Sequence, residues 1–512
     1  MELAFHPDPG AREPVYRQLA GHLQALIEGG HLAPGQQLPP SRALAASLGV
    51  SRNTVNGAYS LLADGEWITS HVGRGTFVAA RPPAATRCHR VPAARNRTDA
   101  RSGQGAGPGP NWDALFAQRA ARLDRPRVLD MRASVRFDFR AGQADPSGLP
   151  LRALRRCIGR ALEEDLPHFA NASDARGWGP LREAIAARLV ARGILCEPAD
   201  VLVTSGAQQG LDLVARALLE AGDTVAVERP GYFGAEWVFR RAGAHLLPIP
   251  VDGQGLCVDE LERQSALRPA KLVYCTPAVQ APTGVTLCAS RRATLLRLAE
   301  THGIPVVEDD YDGDMRLDEP IVPALKTRDE AGHVITIGTF SKAVFPTLRL
   351  GYVVGARPLM QRLTELKLSS DMGTSHLEQA ALARWIGSGG LDRHVRTTRR
   401  QVGERIDAAL DAIAHELPAG THVRRPAGGH ALWVRLPEAL EPSALRAEAV
   451  AADLAWSPTD AFLPGPEGDR YLMLSVAVLP PGEVREGIAR LGQAVRNVQA
   501  GARAGASQAS QR

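Results

Sequence analysis

Two periodicities divide the chain. Over residues 13–79 the apolar positions follow helical spacing, with Leu19, Leu23, Leu26 and Ile27 on one face before a stop at Gly29-Gly30. After the turn Ala33-Pro34-Gly35, Ser41 is expected to cap a second helix carrying Leu44, Ala45 and Leu48, which Gly49 ends in a left-handed conformation. Ser51 is placed to cap a third, with Val55, Ala58, Leu61 and Leu62 facing inward and Arg52, Asn53, Thr54 and Asn56 outward. Residues 67–78 read as a hairpin with the tip Gly73-Arg74-Gly75. Over residues 112–499 the pattern changes. Short β-branched runs at 201–204, 224–227, 272–275, 305–307, 334–337 and 352–354 alternate with amphipathic helical segments. Continuous apolar strands separated by helices predict an α/β domain with a mainly parallel sheet covered on both faces. Between the two, residues 80–111 are rich in Pro, Gly, Ala and Arg and predict a flexible basic linker. The small polar residues 500–512 are expected to be disordered.

Composition narrows the class. The 512 residues are 44% hydrophobic and 22% charged, with no apolar run of the ~18 to 20 residues a membrane helix requires. The first residues lack the charged-then-apolar layout of a secretion signal, so a cytoplasmic protein with no membrane partner is expected. Six scattered cysteines form no zinc or dithiol spacing, and no metal site is expected. The net charge of +5 allows a polyanionic partner. Lysine stands only at 271, 326, 342 and 367, so chemistry requiring a lysine amine has few candidates.

The N-terminal pattern is a helix-turn-helix with a polar outer face. Arg, Asn and Thr at the start of its last helix suit base edges and phosphates in a major groove, and an arginine between two glycines lets a hairpin tip approach a DNA backbone. The run Leu38-Pro39-Pro40-Ser41-Arg42, then Leu48-Gly49-Val50-Ser51-Arg52-Asn53-Thr54-Val55 and Gly73-Arg74-Gly75-Thr76-Phe77-Val78, resembles the GntR-type winged helix. The resemblance implies a double-stranded DNA partner reached through Ser41, Arg42, Ser51, Arg52, Asn53, Thr54 and Arg74.

Five motifs follow downstream. Thr204-Ser205-Gly206-Ala207-Gln208-Gln209-Gly210 leaves a strand and opens a helix, a place where backbone N–H groups favour an anion. Pro230-Gly231-Tyr232 offers an aromatic after the next strand. Cys275-Thr276-Pro277 and Pro282-Thr283-Gly284 form a loop at a strand's C-terminal end, where open α/β sheets bind ligands. Val307-Glu308-Asp309-Asp310-Tyr311-Asp312 brings a carboxylate able to pair with a protonated ring nitrogen and a phenol two residues on. Finally, Thr339-Phe340-Ser341-Lys342 and Leu348-Arg349 combine an amine for a Schiff base, hydroxyls for a phosphate and a guanidinium to pair it. With Gly177-Trp178-Gly179-Pro180-Leu181-Arg182 ahead of them, these motifs resemble a fold-type I aminotransferase of class I. Nearly the whole chain resembles the MocR (GabR-like) family of regulators. That resemblance implies pyridoxal 5'-phosphate (PLP) on Lys342, Asp309 at its ring nitrogen, Tyr311 at its ring oxygen and Tyr232 stacked on the ring. Ala207, Gln208, Thr339, Ser341 and Arg349 would take the phosphate. It further implies a domain-swapped homodimer and a small-molecule effector, PLP itself or an amine or amino acid.

Two departures bear on activity. The family segment resembling Leu-Arg-Leu-Gly-Phe-Ala, whose arginine grips an α-carboxylate, reads Leu472-Met473-Leu474-Ser475-Val476-Ala477 here. The arginine is replaced by Met473, with Arg470 the nearest alternative. Val279 and Ala281 stand where the family often has histidine and an aromatic. The leading expectation is a PLP-binding transcription regulator. A working aminotransferase with an accessory reader and a purely structural dimerisation body are the alternatives.

Overall fold

A computed structural model describes residues 5, 7, 14–71, 75–80, 111, 135–169, 174–317, 322–437 and 440–509. The chain forms two compact units, residues 1–110 and 111–512.

In the first unit, α1 (Val15–Glu28), α2 (Ser41–Leu48) and α3 (Arg52–Asp64) precede an antiparallel hairpin of β1 (Ile68–His71) and β2 (Gly75–Val78). Leu19, Leu23, Ile27, Leu44, Val55, Leu62, Ile68 and Val78 meet in one core. Gly49 takes φ +63°, which lets α2 stop and α3 start almost at once. Ser51 caps α3 by accepting from the Thr54 N–H at 3.1 Å. Two expectations are corrected. Pro40, held extended at φ −55° and ψ 143°, occupies the cap position of α2, so Ser41 is already helical and its hydroxyl instead accepts from Arg52 Nε at 3.4 Å. Leu61 is 38% exposed, because the ~100° step from Leu62 carries it past the edge of the buried stripe. Tyr59 turns inward in its place and donates to the Pro39 carbonyl at 2.7 Å.

The second unit is built on an eight-stranded sheet of β4 (Val201–Thr204), β5 (Thr224–Arg229), β6 (His245–Asp252), β7 (Gly255–Leu256), β8 (Leu272–Cys275), β9 (Val306–Asp310), β10 (Val334–Thr339) and β11 (Gly351–Val354). Their spatial order is β4-β11-β10-β9-β8-β5-β6-β7. β10, β9, β8, β5 and β6 run parallel to one another, while β11 is antiparallel to both β10 and β4. The expected mainly parallel sheet is therefore present, and all six expected strands belong to it. The helices α6 (Ala207–Leu218), α7 (Phe233–Arg241) and α10 (Arg357–Asp371) cover one face, with Leu211, Val214, Phe239, Met360 and Leu363 packed on Leu202, Val225 and Ile337. The helices α8 (Val258–Leu267) and α9 (Ala289–His302) bury Leu261, Leu295 and Leu298 in a second cluster. Earlier in the chain, α4 (Leu151–Glu164) and α5 (Gly179–Ala191) join a third cluster with α11 (His376–Gly387).

A smaller layer carries β12 (Ala431–Arg435) paired antiparallel with β14 (Tyr471–Ser475), and β3 (Phe137–Phe139) paired with β13 (Leu454–Trp456). The long helices α12 (Gly390–Glu416) and α14 (Pro481–Ala509), with α13 (Pro442–Ala451) between them in the chain, pack over these strands. α14 continues to Ala509, so the segment expected to be disordered from residue 500 is helical there; its repeated alanines carry little helical penalty. Apart from its two ends, the expected linker 80–111 lies outside the described residues. Among the described residues, no helix is long and apolar enough to cross a membrane.

Candidate functional site

The parallel strands point their C-terminal ends to one place. Residues following β4, β5, β9 and β10 close around a cavity of about 390 Å³. Ala207, Gln208, Tyr232, Asp309, Tyr311, Thr339, Ser341, Lys342 and Arg349 all line it. Turns separated widely in sequence thus meet because strand ends in such a sheet converge there.

At one end the chemistry is that of an anion site. Gly206 adopts φ +95° and opens α6, whose first N–H groups and positive dipole end face this region. Arg349, itself at φ +52°, donates to the Ser205 carbonyl at 2.9 Å. A Cβ on Gly206 would lie 2.8 Å from that guanidinium, and the φ of +95° is a backbone setting that glycine alone takes without strain. The Thr339 hydroxyl accepts from the Ser341 N–H at 3.1 Å. The Ser341 hydroxyl is buried without a hydrogen-bond partner.

The middle of the cavity holds buried carboxylates. Asp309, 3% exposed, accepts from the Tyr274 hydroxyl at 2.8 Å through Oδ2 and leaves Oδ1 buried and unpartnered. Burial raises its pKa to about 7, with the Tyr274 hydrogen bond opposing. Asp312 is likewise pushed up to about 6 by burial, opposed by the nearby Lys342 ammonium. Tyr311 is driven well above its ordinary value by burial and then by the Asp312 charge. Tyr232 reaches Gln208 Oε1 at 3.4 Å, and Gln208 donates in turn to the Gly234 carbonyl at 2.8 Å. Below the cavity, Glu228 accepts from the Thr276 hydroxyl at 2.6 Å and its N–H at 3.1 Å, tying the loop after β8 to β5.

The unpartnered Asp309 Oδ1 suits a protonated ring nitrogen, and the unpartnered Ser341 hydroxyl with Arg349 and the α6 N-terminus suits a phosphate. The donor set therefore fits PLP.

Part of the lining is apolar. Val279, Pro282, Phe233, Phe462 and Met473 form it, and Met473 is 7% exposed on β14 opposite Trp433. Arg470 does not line the cavity; its guanidinium donates to the Pro437 carbonyl. Arg349 is the one arginine among the described lining residues. Two titratable lining residues had no role in the sequence analysis. Asp312 stood within its motif without a role. His430, whose Nδ1 lies 3.2 Å from the Ser475 hydroxyl, is lowered to about 3 by burial and by Lys342. The tight Gly428-Gly429 pair before β12 was the available signal for it.

In the first unit, Arg42, Ser51, Arg52 and Asn53 are exposed, and Ser41 and Thr54 half-buried. The Thr54 hydroxyl is 2.8 Å from that of Ser51. Arg74 lies outside the described residues.

A family model described as aminotransferase class I and II matches residues 142–491, and one described as bacterial regulatory proteins, gntR family, matches residues 15–78. The chain is 34% identical over 483 residues, 94% of each chain, to the probable rhizopine catabolism regulatory protein MocR of Rhizobium meliloti. It is 32% identical over 498 residues to the HTH-type transcriptional regulator TauR of Rhodobacter capsulatus, covering 96% of this chain and 99% of that one. Among solved structures it is similar to LysN, an α-aminoadipate aminotransferase of Thermus thermophilus complexed with N-(5'-phosphopyridoxyl)-L-leucine. That match has a TM-score of 0.71 and 30% identity, over 76% of this chain and 100% of that one.

Proposed function

The chain belongs to the MocR/GabR-like family of transcription regulators, a GntR-type reader followed by a class I and II aminotransferase domain, and from that premise we propose that it senses PLP, held at Lys342, or an amine that reacts with it. The observation that carries this reading is the contrast inside one cavity: every expected cofactor residue lines it, and so does Met473, the residue that the family resemblance sets in place of a carboxylate-gripping arginine. PLP, when bound, supplies an aldehyde that condenses with amines. Lys342 would hold it, Asp309 would pair its ring nitrogen, Tyr311 its ring oxygen, Tyr232 would stack on the ring, and Arg349, Thr339, Ser341 and the α6 N-terminus would take its phosphate. The effector is PLP itself or an amine without an α-carboxylate. An α-amino acid would bring its carboxylate against a thioether and lose a charge-assisted pair of ~1.5 to 3 kcal/mol.

On the DNA side, Arg52, Asn53 and Thr54 meet a major groove, Ser41, Arg42 and Ser51 contact the backbone, and Arg74 reaches in from the hairpin. A domain-swapped homodimer presents two readers to two half-sites, and the cavity's occupancy biases their placement. Fluorescence anisotropy on an operator fragment from the protein's own promoter region tests this, with stripped protein, PLP-loaded protein and PLP-loaded protein plus amines compared. The reading expects the DNA affinity to differ among these states. Identical affinity in all of them contradicts it.

A further inference from the structure

Lys367 has no place in the cofactor set, yet its side chain is wholly buried. Its Nζ lies 2.6 Å from Asp371 Oδ2, one turn further along α10. The same carboxylate oxygen accepts from Gln209 Nε2 at 2.7 Å, reaching across to α6. Gln209 in turn accepts from the Ser205 N–H through Oε1 at 2.8 Å. Ser205 is the residue whose carbonyl orients Arg349. Asp371 is steadied from its other side by the Gly373 N–H at 2.9 Å. A buried ammonium thus fixes a carboxylate, the carboxylate fixes an amide, and the amide fixes the turn on which the phosphate grip is built. Neither Gln209, Asp371 nor Lys367 lines the cavity.

We propose that Lys367, Asp371 and Gln209 are positioning residues for the phosphate of PLP, acting through the Ser205-Gly206 turn and Arg349. The proposal rests on the PLP reading above and adds the part of the chain that sets the grip. A side-chain amide bridging a backbone N–H to a carboxylate has one rotational setting that satisfies both ends, so it transmits position as well as binding energy. Lys367 is buried while Asp371 is exposed, and retention of a buried ammonium for what it orders, beyond its net stability, follows the same logic.

The test uses full-length protein stripped of cofactor and titrated separately with PLP and with pyridoxal, which has the ring and aldehyde and lacks the phosphate. Binding is followed by absorbance. Gln209 is half-buried, so Gln209→Leu is the primary variant, with its melting temperature measured alongside. The relay predicts that PLP affinity falls roughly three- to tenfold while pyridoxal affinity is unchanged. Asp371→Leu should give the same selective loss, and the double variant should lose no more PLP affinity than the stronger single one, because both break one link. Equal weakening of PLP and pyridoxal, or unchanged PLP affinity in Gln209→Leu, overturns the relay. Wild-type protein that binds neither ligand overturns the cofactor reading instead.

Discussion

Two parts of the Lys342 cavity are built on different terms. Around Asp309, Ser341 and Arg349 polar groups are dense, and three atoms of lining residues, Asp309 Oδ1, Asp312 Oδ1 and Ser341 Oγ, are buried with nothing to bond. The apolar part of the lining, Met473, Phe462, Phe233 and Val279, offers contact area and no cation. Unpartnered buried polar atoms reduce stability, and a fold keeps them where a ligand completes them. An apolar wall has no such need. On the proposed reading, the difference is that between a lining suited to hold a cofactor and one that offers a carboxylate no charged partner.

The largest effect should come from removing the anchor. Lys342→Ala should abolish the visible absorbance of PLP-loaded protein, and survival of that colour would assign the attachment to one of the other three lysines. Next is Met473→Arg, which gives the apolar wall the missing cation. It should raise the affinity for α-amino acids by about one to two decades, read from absorbance titrations, and a null result would mean that the wall is not where a carboxylate lies.

A smaller effect separates binding from stability. The pKa of Asp309 is raised to about 7 in the folded chain, so its contribution to stability is full below the ordinary carboxylate value and is lost as pH rises through about 7. Asp309→Asn should therefore raise the melting temperature of stripped protein at about pH 8 more than at about pH 4, while weakening PLP binding. Glu228 and Asp312 are raised by burial too, so part of the pH dependence should remain. The smallest effect concerns the reader and serves as a control on the cavity. Arg74→Ala should lower the slope of log affinity for DNA against log salt by about one, Asn53→Ala should change base preference, and neither should move the PLP spectrum.

Much of this is legible in the sequence, for identifiable reasons. The six strands were readable as short β-branched runs, and Lys342 stood out because lysine is so scarce. β6 was missed because Pro248 and Pro250 interrupt His245–Asp252; both lie opposite β5, at Val227 and Arg229, in a stretch that β7 does not pair, where a missing N–H is tolerated. Ser41 was misplaced by one residue because the preceding Pro39-Pro40 sets where extended backbone ends. The antiparallel setting of β11 has no local signature, since its residues are buried on both faces like the others. His430 and the Gln209 to Lys367 chain depend on contacts between residues far apart in sequence, which no periodicity reports.

The central claim, that the cavity admits amines and disfavours α-amino acids, is tested most directly by a single-turnover absorbance scan of PLP-loaded wild-type protein against a panel of both. The account predicts spectral change with one or more amines lacking an α-carboxylate and little or no conversion to the pyridoxamine form with ordinary α-amino acids. Fast conversion by any common α-amino acid would contradict it and identify the large domain as a working aminotransferase.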